Sequence, residues 1–182
     1  MKRLSANCMK LKRQKMCVFF WQSSLAASPI VYMETEFASQ FRNVMNTYFS
    51  TKKSLYHYIS MAEGNYREFL RGANVKAKKY FYVMRPVLAC RWILEKGTLP
   101  PMRFTELMAA ELPENLLPEL EHLLELKMNA PEIKEIPRID VLNEYLDTSI
   151  TEIKNLLLDM DDTKKMEWET LDQMFLKFIS VN

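Results

Sequence analysis

The sequence predicts an all-α helical bundle, and three observations carry that expectation. Glycine occupies only three of 182 positions, Gly64, Gly72 and Gly97. Alternating β-branched runs are absent, while the helix formers Leu, Met, Lys and Glu are abundant. Hydrophobic residues make up 48% and charged residues 26%, a globular balance that excludes a disordered or collagen-like chain.

Each element follows from local signals. Ser28-Pro29 opens an extended or turn segment, because the residue before proline avoids the α region. Glu36 to Phe49 reads as a first helix. Ser50-Thr51 caps a second, which runs to Arg71 and is ended by Gly72. Val75 to Lys96 reads as a third, ended by Gly97. Leu99-Pro100-Pro101 is a firm break, and a short helix follows from Phe104 to Leu112. Pro113 and Pro118 bracket the next start, and Pro118 suits a first helical turn. Met128 to Pro137 reads as a linker with two prolines. A further helix spans Ile139 to Leu158. Asp162 or Thr163 then caps a last helix that ends near Val181.

Three segments are expected: a basic, poorly structured stretch at 1–27, a helical core domain at 28–128, and a linker with acidic helices at 129–182. Residues 1–97 carry 17 Lys and Arg against 5 Asp and Glu, a balance of +12. Residues 98–182 carry 8 against 18, a balance of −10. Either the basic half faces a polyanion, or the two halves attract each other when folded. Cys8, Cys17 and Cys90 are too few and too widely spaced for a disulfide framework. Reduced thiols and a cytoplasmic address fit this usage. The apolar run Met16–Trp21 is shorter than the roughly 7–15 residues of a secretory h-region. No apolar stretch is long enough to predict a membrane span.

The third helix is the most informative segment. At about 100° per residue, Lys78, Lys79, Tyr82, Arg85 and Ala89 share one face. Ala77, Phe81, Met84, Val87, Leu88 and Trp92 form a wide apolar arc opposite. Pro86 falls mid-helix and removes a hydrogen bond to the preceding turn, so a kink is expected there. Arg91 projects from the apolar arc. Its guanidinium either pairs with a carboxylate of a neighbouring helix or clamps a phosphate or carboxylate ligand. In the second helix, Leu55, Tyr58, Ala62 and Phe69 form a stripe with Asn65 among them, which reads as core packing rather than as a base-stacking platform, and His57 lies beside Tyr58. His57 is a surface histidine or, with a proton donor in reach, a general base.

Several chemistries are excluded. The scarcity of glycine removes the P-loop and the dinucleotide fingerprint. There is no Gly-x-Ser-x-Gly, no His-Glu-x-x-His and no Cys-x-x-Cys, and His57 and His122 are the only histidines. Asp159 and Asp161 follow the end of a helix and read as an acidic cap rather than a magnesium pair.

Several stretches together resemble a known family. They are Ser28-Pro29-Ile30-Val31-Tyr32, Tyr56-His57-Tyr58 with Met61-Ala62, and Asn65 to Gly72. The longest runs from Lys78 to Ile93 and reads Lys-Lys-Tyr-Phe-Tyr-Val-Met-Arg-Pro-Val-Leu-Ala-Cys-Arg-Trp-Ile. Pro100-Pro101 and Phe104 to Leu107 extend the match. The chain resembles, over about residues 28–160, the C-terminal helical part of predicted nucleotidyltransferases of the DNA polymerase beta superfamily linked to RNA repair.

That superfamily has a mixed α/β catalytic domain with a Gly-Ser loop and strand-borne carboxylates for Mg²⁺. Residues 1–27 contain no Gly, Asp or Glu, so the resemblance implies a chain without those groups, truncated and inactive alone. No cofactor is expected in this chain, whereas Mg²⁺ and a nucleoside triphosphate are expected for the complete family enzyme. The resemblance further implies that the helical part closes over a nucleotide or presents an acceptor. Lys78, Lys79, Tyr82 and Arg85 are the candidate surface, with Arg91, His57 and Tyr58 as further candidates. Lysine and arginine would neutralise phosphate, and a tyrosine would stack on a base. Expected partners are a nucleotide or RNA and a catalytic-domain chain. The alternatives are a freestanding RNA- or nucleotide-binding module and an interaction protein that uses exposed apolar residues such as Tyr32 and Phe37.

Overall fold

The structure is a computed structural model. It describes residues 36–47, 49–129 and 135–161, with three isolated helical positions at Glu169, Asp172 and Leu176. The expectations for residues 1–35, including the extended start at Ser28-Pro29, lie outside the described residues. So does most of the last expected helix. The chain divides into two compact units, one of residues 1–49, 99–102 and 165–182, the other of residues 50–98 and 103–164. In the first, the described element is helix α1, Glu36–Thr47. The Phe49 amide closes back on the Asn46 carbonyl at 3.4 Å, so the helix stops two residues before the sequence signals suggest.

The second unit holds the remaining described elements. Helix α2 spans Thr51–Phe69, and the Ser50 hydroxyl caps it by accepting from the Lys53 amide. Strand β1 (Asn74–Lys76) leads directly into α3 (Ala77–Lys96). Gly97 ends α3 with φ of 66°, the left-handed conformation that glycine adopts without steric cost. Helix α4 is Phe104–Glu111, and a single 3-10 turn at Glu114–Leu116 connects it to α5, Leu117–Asn129. Strand β2 (Glu135–Pro137) and helix α6 (Asp140–Asp159) follow.

The all-α expectation therefore stands, with one small addition. β1 and β2 pair antiparallel, Val75 opposite Ile136, and the Arg138 amide extends the ribbon by donating to the Ala73 carbonyl at 2.9 Å. Two expectations are corrected here. Val75 belongs to a strand rather than to the start of α3. The stretch from Met128 to Pro137 is in part α5 and in part β2 rather than linker throughout.

Helix α3 is the axis of this unit and touches α2, α4, α5 and α6. That position explains why its burial extends well beyond one arc. Tyr80, Val83, Met84, Val87, Leu88, Cys90 and Ile93 are all fully buried. Leu55 and Ala62 of α2, Leu120 and Leu123 of α5, and Leu142 and Leu146 of α6 close the core around it. α3 runs as one α-helix through Pro86.

A polar network joins α2, α3 and α6 inside this core. The Tyr80 hydroxyl donates to Asn143 Oδ1 at 2.8 Å and accepts from the Ile139 amide at 2.8 Å. Asn143 Nδ2 donates to the Leu70 carbonyl at 2.7 Å. Asn143 thereby satisfies the end of α2 and a buried phenol, and the phenol in turn satisfies the start of α6.

Candidate nucleic-acid interface

Helices α2 and α3 pack antiparallel, and two contacts fix their register. The Cys90 thiol lies 3.9 Å from the Leu55 carbonyl it donates to, and the Lys79 ammonium lies 3.3 Å from the centroid of the Phe69 ring.

A narrow stripe of α3 escapes burial. Tyr82 is 48% exposed, Arg85 is exposed and Lys78 is half-buried. Lys79, half-buried, does not extend freely into water. Its ammonium sits over Phe69 and also 4.9 Å from the Tyr82 ring centroid. The cation is held by two aromatic quadrupoles. Among the described residues it has no carboxylate in ion-pair range.

Ala89, placed on the same face by the helical periodicity, is 2% exposed, so the open stripe ends at Arg85. Trp92, placed on the apolar arc, is half-buried and donates its indole N–H to Thr98 Oγ1 at 3.1 Å. Periodicity misassigns both because it locates a face but not the neighbour that covers it.

His57 and Tyr58 are half-buried, their rings meeting edge to face at 5.5 Å between centroids. Burial lowers the His57 pKa from its ordinary 6.5. The imidazole is therefore neutral at pH 7 and adds no cation to the face.

Arg91 lies apart from the stripe. Its guanidinium donates to Ser149 Oγ at 3.0 Å and pairs with Glu152 at 3.5 Å, with its centre 5.3 Å from the Tyr145 ring centroid. The side chain is thus engaged by α6. Burial raises the Tyr145 hydroxyl, and nearby Arg91 opposes that rise. Burial, with Glu95 adding to it, also raises the Glu111 carboxyl at the end of α4.

The structure therefore brings together Lys79, Tyr82 and Arg85 with Lys78 at the edge, and it holds Arg91 on the α6 side. Phe69, which the helical spacing places on a stripe that reads as core packing rather than as a base-stacking platform, is the residue that Lys79 covers. Its spacing on the stripe gave no sign that a lysine would lie over it.

Cys90 is buried, and burial pushes its thiol up to about 12, which makes it an inert packing group. Among the described residues, no group of three or more His, Cys, Asp or Glu side chains could hold a metal ion. These residues do not fit a Mg²⁺ site. Among the same residues, no helix is long and apolar enough to cross a membrane.

No solved structure matches the chain. A relative from Bacillus subtilis (strain 168), described as uncharacterized protein YcgL, is 41% identical over 155 residues. The match covers 84% of this chain and 60% of that protein, so the chain spans about three fifths of the relative's length. A family model described as the RNA repair pathway DNA polymerase beta family matches residues 21–177, including every described element from α1 to α6. The resemblance carried by the Lys78–Ile93 run is thereby shown, and the chain belongs to the RNA repair pathway DNA polymerase beta family.

Proposed function

We propose that this chain is the helical, substrate-holding part of a nucleotidyltransferase, and that its α2–α3 face binds the phosphates of RNA or of a nucleotide. The observation that carries this reading is the Lys79 ammonium, held between Phe69 and Tyr82 with Arg85 on the next turn. Two cations and an exposed tyrosine on one stripe combine phosphate neutralisation with a stacking surface. Family membership supports the same reading. A reducing, cytoplasmic setting suits the buried, unpaired Cys90.

Transfer itself needs groups that this chain does not offer. The sequence contains no Gly-Ser dipeptide, and residues 1–27 hold no carboxylate. In this reading a catalytic domain works with the helical part, and the chain alone does not transfer a nucleotide. The second reading, a freestanding RNA-binding module, shares the same face and differs only in having no catalytic partner.

The test is fluorescence anisotropy with a short labelled single-stranded RNA across a salt series. Affinity should fall steeply with salt. Lys79→Glu combined with Arg85→Glu should weaken binding about tenfold or more and flatten the salt slope by about two. Unchanged binding by that variant removes the face from the function. Incubating the purified chain with Mg²⁺, nucleoside triphosphate and RNA should give no labelled product, and robust transfer would overturn the division of labour.

A further inference from the structure

Helices α3, α4 and α6 each contribute a buried polar atom to one neighbourhood without pairing it. Arg91 of α3 donates through a terminal nitrogen to Ser149 Oγ at 3.0 Å and pairs with Glu152 at 3.5 Å. Its Nε is buried and has no hydrogen-bond partner among the described residues. The same holds for Oε1 of Glu111, the last residue of α4, and for the hydroxyl of Tyr145 in α6. The Arg91 guanidinium lies 5.3 Å from the Tyr145 ring centroid. Burial is the main reason that the Glu111 carboxyl and the Tyr145 hydroxyl are both raised. Arg91 is close enough to oppose the rise in both, and Glu111 is close enough to add to it at Tyr145. Ser149 also opposes it at Tyr145, although its oxygen already accepts from Arg91 and closes no hydrogen bond with the phenol.

We propose that one ordered water molecule bridges Arg91 Nε, Glu111 Oε1 and the Tyr145 hydroxyl, and so ties α4 to α3 and α6. Buried donors and acceptors are almost always paired, either within the protein or through such a water. The chemistry of the three atoms selects the ligand. Arg91 Nε can only donate, a carboxylate oxygen can only accept, and the phenol does either. The ligand must therefore accept from arginine and donate to glutamate at once. An anion would be repelled by Glu111 and Glu152. A cation would be repelled by Arg91, and no metal-holding group of side chains exists among the described residues. A neutral molecule remains. All three atoms are closed to solvent, which favours the smallest neutral donor and acceptor, and a buried water makes two to four such bonds. The bridge matters most to α4, whose buried residues are Leu107 and Met108. It gives that short helix a polar anchor at its last residue.

The test is a high-resolution crystal structure of the chain. A single water should stand about 2.5–3.2 Å from Arg91 Nε, Glu111 Oε1 and the Tyr145 oxygen. Direct pairing among the three groups, a dry centre, or an ion in the water's place each overturns the proposal. Glu111→Leu removes the acceptor and puts methyl groups where it stood, so its crystals should lose the water. A water retained in that variant removes Glu111 from the bridge, and with it the tie to α4. Magnetic resonance in solution gives a readout that needs neither crystals nor that variant. The Arg91 Nε–H proton should show a nuclear Overhauser contact to a long-lived water, and should keep it in Tyr145→Phe, where no phenolic proton can relay the signal. Absence of the contact in the wild-type chain overturns the bridge, and its loss in Tyr145→Phe assigns the signal to the phenol instead of to water.

Discussion

Tyr80 shows how much one side chain can hold. It is fully buried, and its hydroxyl serves Asn143 and the Ile139 amide together. Replacing Tyr80 by Phe keeps the ring but leaves the half-buried Ile139 amide and the buried Asn143 Oδ1 short of a partner. The expected cost is about 1–3 kcal/mol, read as a lower midpoint in urea unfolding with an unchanged slope. A change below a few tenths of a kcal/mol would mean that the network is dispensable. His57 gives a second residue-scale expectation. Its folded pKa lies below 6.5, so the folded state resists protonation that the unfolded chain accepts. The stability tied to its neutral form is complete above about pH 6.5 and is lost as pH falls through the lowered folded value. His57→Gln should remove that acid-side decline from a series of melts between pH 7 and pH 5, and an unaltered profile would assign the decline to other groups.

At the scale of the element, a glycine inside a helix and a glycine that ends one make opposite predictions. Gly64 sits within α2, and a Cβ built there meets nothing within 4 Å. Gly64→Ala should therefore stabilise the fold by about 0.5–1 kcal/mol through helix propensity alone. Gly97 ends α3 at φ of 66°, and Gly97→Ala should destabilise by about 1 kcal/mol although open space surrounds it. Paired thermal melts of the two variants should move in opposite directions. The Gly97 cap was legible in the sequence because a glycine closing an apolar helical pattern has one common use. The β1–β2 ribbon was not legible. Three residues such as Asn74–Lys76 and Glu135–Pro137 are too short to show an alternating pattern, and their pairing depends on α6 returning beside α2. The site was legible to the same degree. Periodicity found Lys79, Tyr82 and Arg85 on one face, because spacing within a helix is local information. It did not find Phe69 beneath Lys79, and it anticipated a carboxylate of a neighbouring helix beside Arg91 without identifying Glu152, because those contacts come from neighbouring helices.

Over the whole molecule, the charge split between the halves sets two salt dependences that can be told apart. Among the described residues, the ion pairs that bridge the basic and acidic halves are Glu63–Lys154 at 2.8 Å and Arg91–Glu152 at 3.5 Å. All four side chains are at least a third exposed, so each pair is worth at most about 1 kcal/mol and is screened by salt. The halves are held together instead by apolar contacts that salt does not weaken, with Leu142, Leu146 and Ile150 of α6 in the same buried core as Leu55 and Tyr80. Melting temperature should therefore shift by no more than about 5 °C between low and high salt. RNA affinity over the same range should fall by orders of magnitude, because counterion release multiplies with each phosphate contacted. If melting instead falls steeply as salt rises, attraction between the halves is what the charge split serves, and the basic stripe loses its claim to a polyanion. If melting holds while RNA binding collapses, the positive charge of α3 is directed outward, toward a ligand that carries phosphate.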